Sequence, residues 1–269
     1  MNDFPAVIKS ANLENGKFYN SRALTLLQCT KGGGIFVARG DVVTFESGDV
    51  LVSYPDDFYA VSAFADSEIL SYDVDSESIL DDYSYIFDSS TANLFRHSAM
   101  LGNRFRGNKI NTLLNFVREE TQTKSEGYTL RAVCYWYNVV SVINGSFGER
   151  DFSSFNRTAF LRIMPVAAYI LENFTEKLSV SALAEKYYIS ESYLRLTFLK
   201  VFGLSPFDFI AKLKMEKAKY LLSSKTSVGK VAESVGYDGM ASFNRYFRIY
   251  TGVSPTEYRS SRRLSGSED

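Results

Sequence analysis

The chain reads as an α+β protein: a strand-built N-terminal part, two helices after it, then an all-helical C-terminal part. Three observations predict this. The first ~90 residues alternate short β-prone runs with turn residues. From residue 108 onward the apolar residues fall at helical spacing. The last ~110 residues contain an internal repeat.

Taken in order, the strand candidates are ALTLLQCT (23–30), GIFVARG (34–40), DVVTFES (41–47), GDVLVSY (48–54), YAVSAF (59–64) and EILSYDV (68–74). They are rich in Val, Ile, Phe and Tyr and are punctuated by Gly, Asp and Pro. Their regular spacing suits a β-barrel or sandwich. The run KGGGIF lacks the GK[ST] and the helix that a phosphate loop needs, so Gly32, Gly33 and Gly34 read as a flexible entry to a strand. Ile110, Leu113, Leu114 and Val117 predict a helix, and LRAVCYWYNVVSVI predicts another over 130–143. The polar, Gly/Ser-rich stretch 144–158 reads as a linker. From Ala159 to Arg259 the pattern is helix and short turns, and LSGSED reads as disordered. The expected organisation is therefore a regulatory domain over 1–150, with a barrel at about 1–95 and helices at about 108–143. A linker at 151–158, a helical domain at 159–262 and a disordered tail at 263–269 follow.

Composition excludes several classes. Apolar residues make up 45 %, which argues against disorder. No apolar run is long enough to span a membrane, and the N-terminus lacks the pattern of a signal peptide, so a cytoplasmic protein with no membrane partner is expected. Cys29 and Cys134 form no CxxC motif and suggest a reduced protein. His97 is the chain's one histidine, so neither a His-rich metal site nor a His-dependent catalytic set is expected. The chain reads as a non-enzyme without cofactor. The sequence NGS at Asn144 means little in a cytoplasmic protein. Charge divides unevenly: residues 1–157 carry 14 basic and 20 acidic residues, and residues 158–269 carry 16 and 11. A module with net charge +5 joined to one with −6 suggests that the C-terminal part meets a polyanion.

The repeat is specific. Ala184 and Glu185 match Ala232 and Glu233 at an offset of 48. One extra residue then enters the second copy. At 49, Leu194, Phe198, Gly203, Ser205, Pro206 and Phe209 match Phe243, Phe247, Gly252, Ser254, Pro255 and Tyr258. Each copy has a helix-turn-helix plan: a short helix with a small Ala, a tight turn, then a second helix starting near a capping residue, Ser190 or Asp238. The i,i+4 pairs Leu194–Phe198 and Phe243–Phe247 make the buried faces. Gly203 and Gly252 end the second helices, and each Ser-Pro pair starts the next element. A long helix from Pro206 to Leu222 joins the copies. Two such units on one stiff helix suit two successive major grooves about 34 Å apart.

On these residues the C-terminal ~100 positions closely resemble the DNA-binding domain of the AraC/XylS family of bacterial regulators. The second motif is carried by Ala232, Gly236, Tyr237, Phe243, Arg245, Phe247, Gly252, Pro255, Tyr258 and Arg259, the first by Leu183, Ala184, Ser190, Leu194, Phe198 and Gly203. KMEKAKYLL, Lys214 to Leu222, resembles the family's linker helix. Three departures stand out: Lys214 in place of an arginine, Leu196 where the first recognition helix often has Arg, and Gly239 and Ala241 in place of polar residues. The resemblance implies DNA contacts from Ser192, Tyr193, Arg195 and Leu196 in the first recognition helix, and from Met240, Ala241, Ser242, Asn244 and Arg245 in the second. Lys200 and Arg248 are expected on phosphates. The segment RGDVVTFESGDVLVSYPDDFYAVSAF, with its Gly48-Asp49 turn and its Pro55 turn, resembles the cupin-like barrel that precedes this domain in many members.

The resemblance implies a sequence-specific DNA-binding transcription regulator that works with RNA polymerase. It implies an activator whose DNA binding responds to a small apolar or carboxylate effector in the N-terminal domain. The alternative is a repressor or activator of the same type controlled by a partner protein. A homodimer through the helices near 108–122 and 130–143 is expected. Size and a barrel without polar clusters resemble the enteric virulence regulators, several of which respond to fatty acids. That branch implies a carboxylate clamp between Lys31 and Lys230. An enzyme fused to such a domain, as in alkylation-repair proteins, would need a cysteine-rich site that this sequence lacks.

Overall fold

The structure, a computed structural model, describes residues 4, 6–11, 13–21, 24–38, 41–54, 57–75, 104–144, 157–224 and 226–265. The strand half is built from β1 (Ala6–Ser10), β2 (Phe18–Asn20), β3 (Leu24–Lys31), β4 (Gly33–Ala38), β5 (Asp41–Glu46), β6 (Asp49–Ser53), β7 (Phe58–Ala63), β8 (Glu68–Val74) and β9 (Arg104–Arg106). They form two antiparallel sheets, one in the order β1-β8-β3-β6-β9 and one in the order β2-β7-β4-β5. The six expected strands correspond to β3–β8. The short β1, β2 and β9 are additions. Because β9 pairs with β6, with Asp49 opposite Arg106, the first sheet extends beyond the barrel end expected near residue 95. The Pro55 turn and His97 lie outside the described residues.

Strand periodicity sorts the side chains into layers. Leu27, Cys29, Leu51 and Ile69 of the first sheet meet Phe36, Ala38, Phe45, Tyr59 and Val61 of the second. Leu24, Leu26, Val50, Val52, Tyr72 and Val74 point the other way, onto helices α1 (Asn108–Thr123) and α2 (Tyr128–Asn144). Ile35, Val37, Val42, Phe58 and Ala60 leave the second sheet on its outer side and enter the core of the helical half. Both faces of both sheets are thus covered, which is why β3 and β4 read as nearly unbroken apolar runs rather than alternating ones.

Covering the first sheet consumes the apolar stripes of α1 and α2: Leu114, Val117, Val133, Trp136 and Val140 are buried in one cluster with it. A polar seam fixes the pairing. The Tyr72 hydroxyl donates to Gln28 Oε1 at 2.7 Å, Gln28 Nε2 donates to Asn111 Oδ1 at 2.9 Å, and Asn111 Nδ2 donates to the Gly48 carbonyl at 2.6 Å.

Gly33 and Gly34 are not a flexible entry: they are the buried first residues of β4. A Cβ on Gly33 would lie 2.4 Å from the Phe45 carbonyl oxygen and 2.9 Å from the Tyr220 ring. The glycines permit close packing of β5 and of the long helix bearing Tyr220. Cys29 is buried and Cys134 exposed, and both thiols are free; burial pushes the Cys29 thiol up to about 11.

The C-terminal half contains α3 (Arg157–Asn173), α4 (Val180–Lys186), α5 (Glu191–Phe202), α6 (Pro206–Leu222), α7 (Val228–Ser234), α8 (Met240–Thr251) and α9 (Pro255–Ser265). Residues 157–158, expected in the linker, already belong to α3; the rest of the expected linker, 151–156, is outside the described residues. Residues 263–265, expected as the start of a disordered tail, continue α9. The protein is therefore mixed, with sheets in the N-terminal region and helices in the C-terminal region.

Candidate nucleic-acid interface

Two helix pairs repeat a local plan that the sequence dictates. Ser179 and Ser227 cap the short helices α4 and α7, accepting from the backbone N–H of Ala182 and Lys230. Ser190 caps α5 by accepting from the Tyr193 N–H, and Ser205 caps α6. Gly203 and Gly252 end α5 and α8 in the left-handed conformation. Asp238 is not the cap of α8. The turn is one residue longer in the second pair, Gly239 takes the cap position without a side-chain bond, and the Asp238 carboxylate reaches Lys177 at 2.6 Å instead.

Both turns contain one left-handed residue, Tyr188 (φ 53) and Gly236 (φ 79). At Gly236 a side chain is impossible without movement, since a Cβ would lie 1.8 Å from the Thr175 carbonyl oxygen. Tyr188 is 97 % exposed and meets no such wall. Lys214, the departure noted in the linker helix, is 9 % exposed and does structural work here. Its ammonium donates to the carbonyls of Gly236 at 3.1 Å and Glu176 at 3.3 Å, and lies 5.3 Å from the Tyr237 ring centre. Burial depresses its pKa.

In each pair the second helix buries one face and presents the other. Leu194, Thr197, Phe198 and Phe202 are buried in α5, and Phe243 and Phe247 in α8. Ser192, Tyr193, Arg195, Leu196 and Lys200, and Met240, Ala241, Ser242, Asn244, Arg245 and Arg248, are all exposed. Arg195 is held by Glu191 at 3.2 Å. Hydrogen bonds from Arg162 and Thr197 hold the Tyr193 phenol below its ordinary value. The Ser242 hydroxyl turns back to the Gly239 carbonyl at 2.8 Å. Sequence reading missed Leu199, 54 % exposed on the same side of α5, and Arg162 on α3. The repeat alignment pairs Leu199 with Arg248 and so contained the clue to the first.

The two lysines of the expected clamp are not brought together by any shared partner among the described residues. Lys31 ends β3 and pairs with Glu68 at 3.5 Å, both side chains exposed. Lys230 is exposed on α7. Beside the apolar core that the second sheet shares with the helical half, contacts between the halves run along edge strand β5 and its neighbour. Glu216 of α6 accepts from the Thr44 N–H at 3.2 Å and from its hydroxyl. Glu46 pairs with Arg262 of α9 at 3.1 Å and with Arg106, which also holds the fully buried Asp49 at 2.9 Å. The Phe64 and Tyr220 rings meet at a tilt, with centres 4.4 Å apart. Clefts of about 320 Å³ and 400 Å³ flank this seam, the first beside Arg106, Lys219 and Arg262, the second beside Phe64, Phe174 and Lys217. Partners 172 and 216 residues apart leave no local trace in a sequence. Among the described residues no cluster of His, Cys, Asp and Glu has the makings of a metal site, and no helix is long and apolar enough to cross a membrane.

Residues 183–261, which begin within α4 and take in the rest of both helix pairs, match the family model described as a helix-turn-helix domain. The chain is 25 % identical over 228 residues to the Msm operon regulatory protein of Streptococcus mutans, covering 84 % of this chain and 75 % of that protein. It is 36 % identical over 95 residues to the raffinose operon transcriptional regulatory protein RafR of Pediococcus pentosaceus, covering 35 % of this chain and 34 % of that one. Among solved structures it is similar to unsaturated fatty acid-bound ToxT of Vibrio cholerae, with 13 % identity, 96 % of both chains covered and a TM-score of 0.36.

Proposed function

We propose that the chain is a sequence-specific DNA-binding transcription regulator of the AraC/XylS type, with two helix-turn-helix motifs joined by the linker helix α6. The observation that carries the reading is the repeated helix pair. Its two second helices bury equivalent faces and leave every residue singled out for DNA contact in solvent. Arg245 and Asn244 hold no hydrogen bond or ion pair among the described residues, and they suit bidentate recognition of guanine and adenine. Lys200 and Arg248 suit phosphates. The matched helix-turn-helix model and the operon-regulator names of the relatives support the same reading.

The test is selection of bound duplexes from a random pool with the full chain, followed by titration. Log K should fall steeply with log salt. Arg245→Ala should cost about 1–3 kcal/mol at the selected site and relax one base position, whereas Lys200→Ala should weaken all duplexes alike. An unselective pool or a flat salt response overturns the reading.

The remaining parts of the proposal concern regulation. The strand half, a cupin-like barrel within residues 1–150, acts as the regulatory domain of an activator that recruits RNA polymerase. A fatty-acid-like effector bridges it to the helical domain (159–262) through Lys31 and Lys230. The alternative is control, in either direction, by a partner protein. Homodimerisation uses the outward side of α1 and α2, where Phe116 and Leu130 are exposed, because the inward stripe with Val140 already packs on the first sheet. Sedimentation of the parent and of Phe116→Glu/Leu130→Glu measures the dimer. DNA titration of Lys31→Ala/Lys230→Ala with an unsaturated fatty acid measures the clamp.

A further inference from the structure

The two second helices are equivalent in fold and opposite in surface chemistry. At the offset of 49, Leu196 and Leu199 of α5 correspond to Arg245 and Arg248 of α8. The leucines are 69 % and 54 % exposed, one helical turn apart, on the side opposite buried Leu194, Thr197 and Phe198. The remaining arginine of that face, Arg195, is held by Glu191, an acidic residue in the first turn of α5; α8 has no acidic residue in its first turn.

We infer that α5 reads its half-site through thymine methyl groups, with Leu196 and Leu199 as the specificity-determining residues and Lys200 on phosphate, while α8 supplies the guanine and adenine contacts and a phosphate contact through Arg248. The inference rests on the DNA-binding reading and goes beyond it by assigning a different chemistry to each half-site. A leucine pair exposed and uncovered among the described residues gains by burial against an apolar group of the partner. In the major groove that group is the thymine C5-methyl, which distinguishes T·A from the other pairs without a hydrogen bond. An apolar, glutamate-flanked face adds little attraction for phosphate, so α5 contributes discrimination and α8 contributes most of the electrostatic affinity.

The test uses the full chain and the duplex selected above. Each thymine is replaced singly by deoxyuridine, which pairs identically but lacks the methyl group. Sensitive positions should fall in one of two half-sites about ten base pairs apart. Each should cost about fourfold in affinity, the amount expected for one buried methyl. Leu196→Ala/Leu199→Ala, at exposed helical positions where alanine is well accepted, should bind more weakly and lose that sensitivity, while keeping the parent's salt dependence. Failure to bind any duplex overturns the DNA-binding reading together with this one. Selective binding that ignores methyl removal, or a double variant that stays sensitive at the same positions, overturns this inference and leaves the DNA-binding reading standing.

Discussion

The first and second helix pairs have the same local plan but different foundations. The core of the first pair is continuous with the strand half: Leu194, Phe198 and Phe202 share one cluster with Phe160, Ile35, Val37 and Phe58. Phe160 stacks on Phe58 at 4.7 Å and meets Phe18 at 5.5 Å and Phe202 at 6.0 Å. The second pair closes its own core from Met215, Ala218, Leu222, Val231, Ala232, Val235, Phe243 and Phe247. One repeat is thus anchored to a sheet, while the other hangs from α6 and touches the strand half at the Arg262–Glu46 pair. The difference teaches that repeated sequence specifies the unit but not its mechanical coupling. A change in the strand half reaches the first pair through packing and the second through α6 and α9.

The largest effect that can break this comparison comes from truncating the two cores. Phe160→Ala and Phe247→Ala should each cost about 3–5 kcal/mol. Hydrogen exchange should then separate them: Phe160→Ala lowers protection in β4 and β7, and Phe247→Ala leaves those strands as in the parent. Equal loss in β4 and β7 would show that the second core is not self-contained.

The turns offer the next contrast. Gly236→Ala places a Cβ against the Thr175 carbonyl at a left-handed backbone and should cost about 3 kcal/mol. Tyr188→Gly at the equivalent, open position should change stability by less than about 1 kcal/mol, because relief of the left-handed strain offsets the added chain entropy. Urea unfolding of the two variants measures both.

Lys214→Met removes the donor shared by Gly236 and Glu176 and should cost about 1–3 kcal/mol, with Lys214→Arg recovering most of it. Burial lowers the folded pKa of Lys214 below its unfolded value. Deprotonation therefore relieves a burial penalty: the stability gained is fully present above the unfolded pKa and is lost as pH falls through the folded one. The parent's margin over Lys214→Met should widen toward alkaline pH, and a constant margin would refute the burial argument.

The smallest effect is at the seam. Arg262→Ala breaks an ion pair more than a third exposed on one side and should alter stability by no more than about 1 kcal/mol. It should nevertheless raise exchange in α9 and along β5. Unchanged exchange in both would mean that the pair does not tie the second unit to the strand half.

Much of the candidate interface was legible in the sequence. Ser190, Ser205, Gly203 and Gly252 are caps that act within a few residues, so their positions follow from local chemistry. Leu194–Phe198 and Phe243–Phe247 follow from helical periodicity. The error at Asp238 has the same local origin: one inserted residue moved the cap to Gly239, and the carboxylate found a partner, Lys177, that is remote in sequence. The glycines at 32–34 were read as flexible because their neighbours, Phe45 and Tyr220, come from other elements.

What the sequence determined by itself is the set of elements and the sidedness of each. Periodicity, caps and turn residues act over a few positions, and they fix which face of α5, α8, β3 or β4 is apolar. What the tertiary structure decided is where each apolar face went and which polar groups met. It placed the stripe of α1 and α2 on the first sheet, joined the first helix pair to the second sheet, and set Glu216 and Arg262 on β5. Apolar burial is non-directional, so an apolar face states that it must be covered without naming the cover. Partners more than 150 residues apart are chosen by the packing of the whole chain, a choice no local stretch of sequence contains.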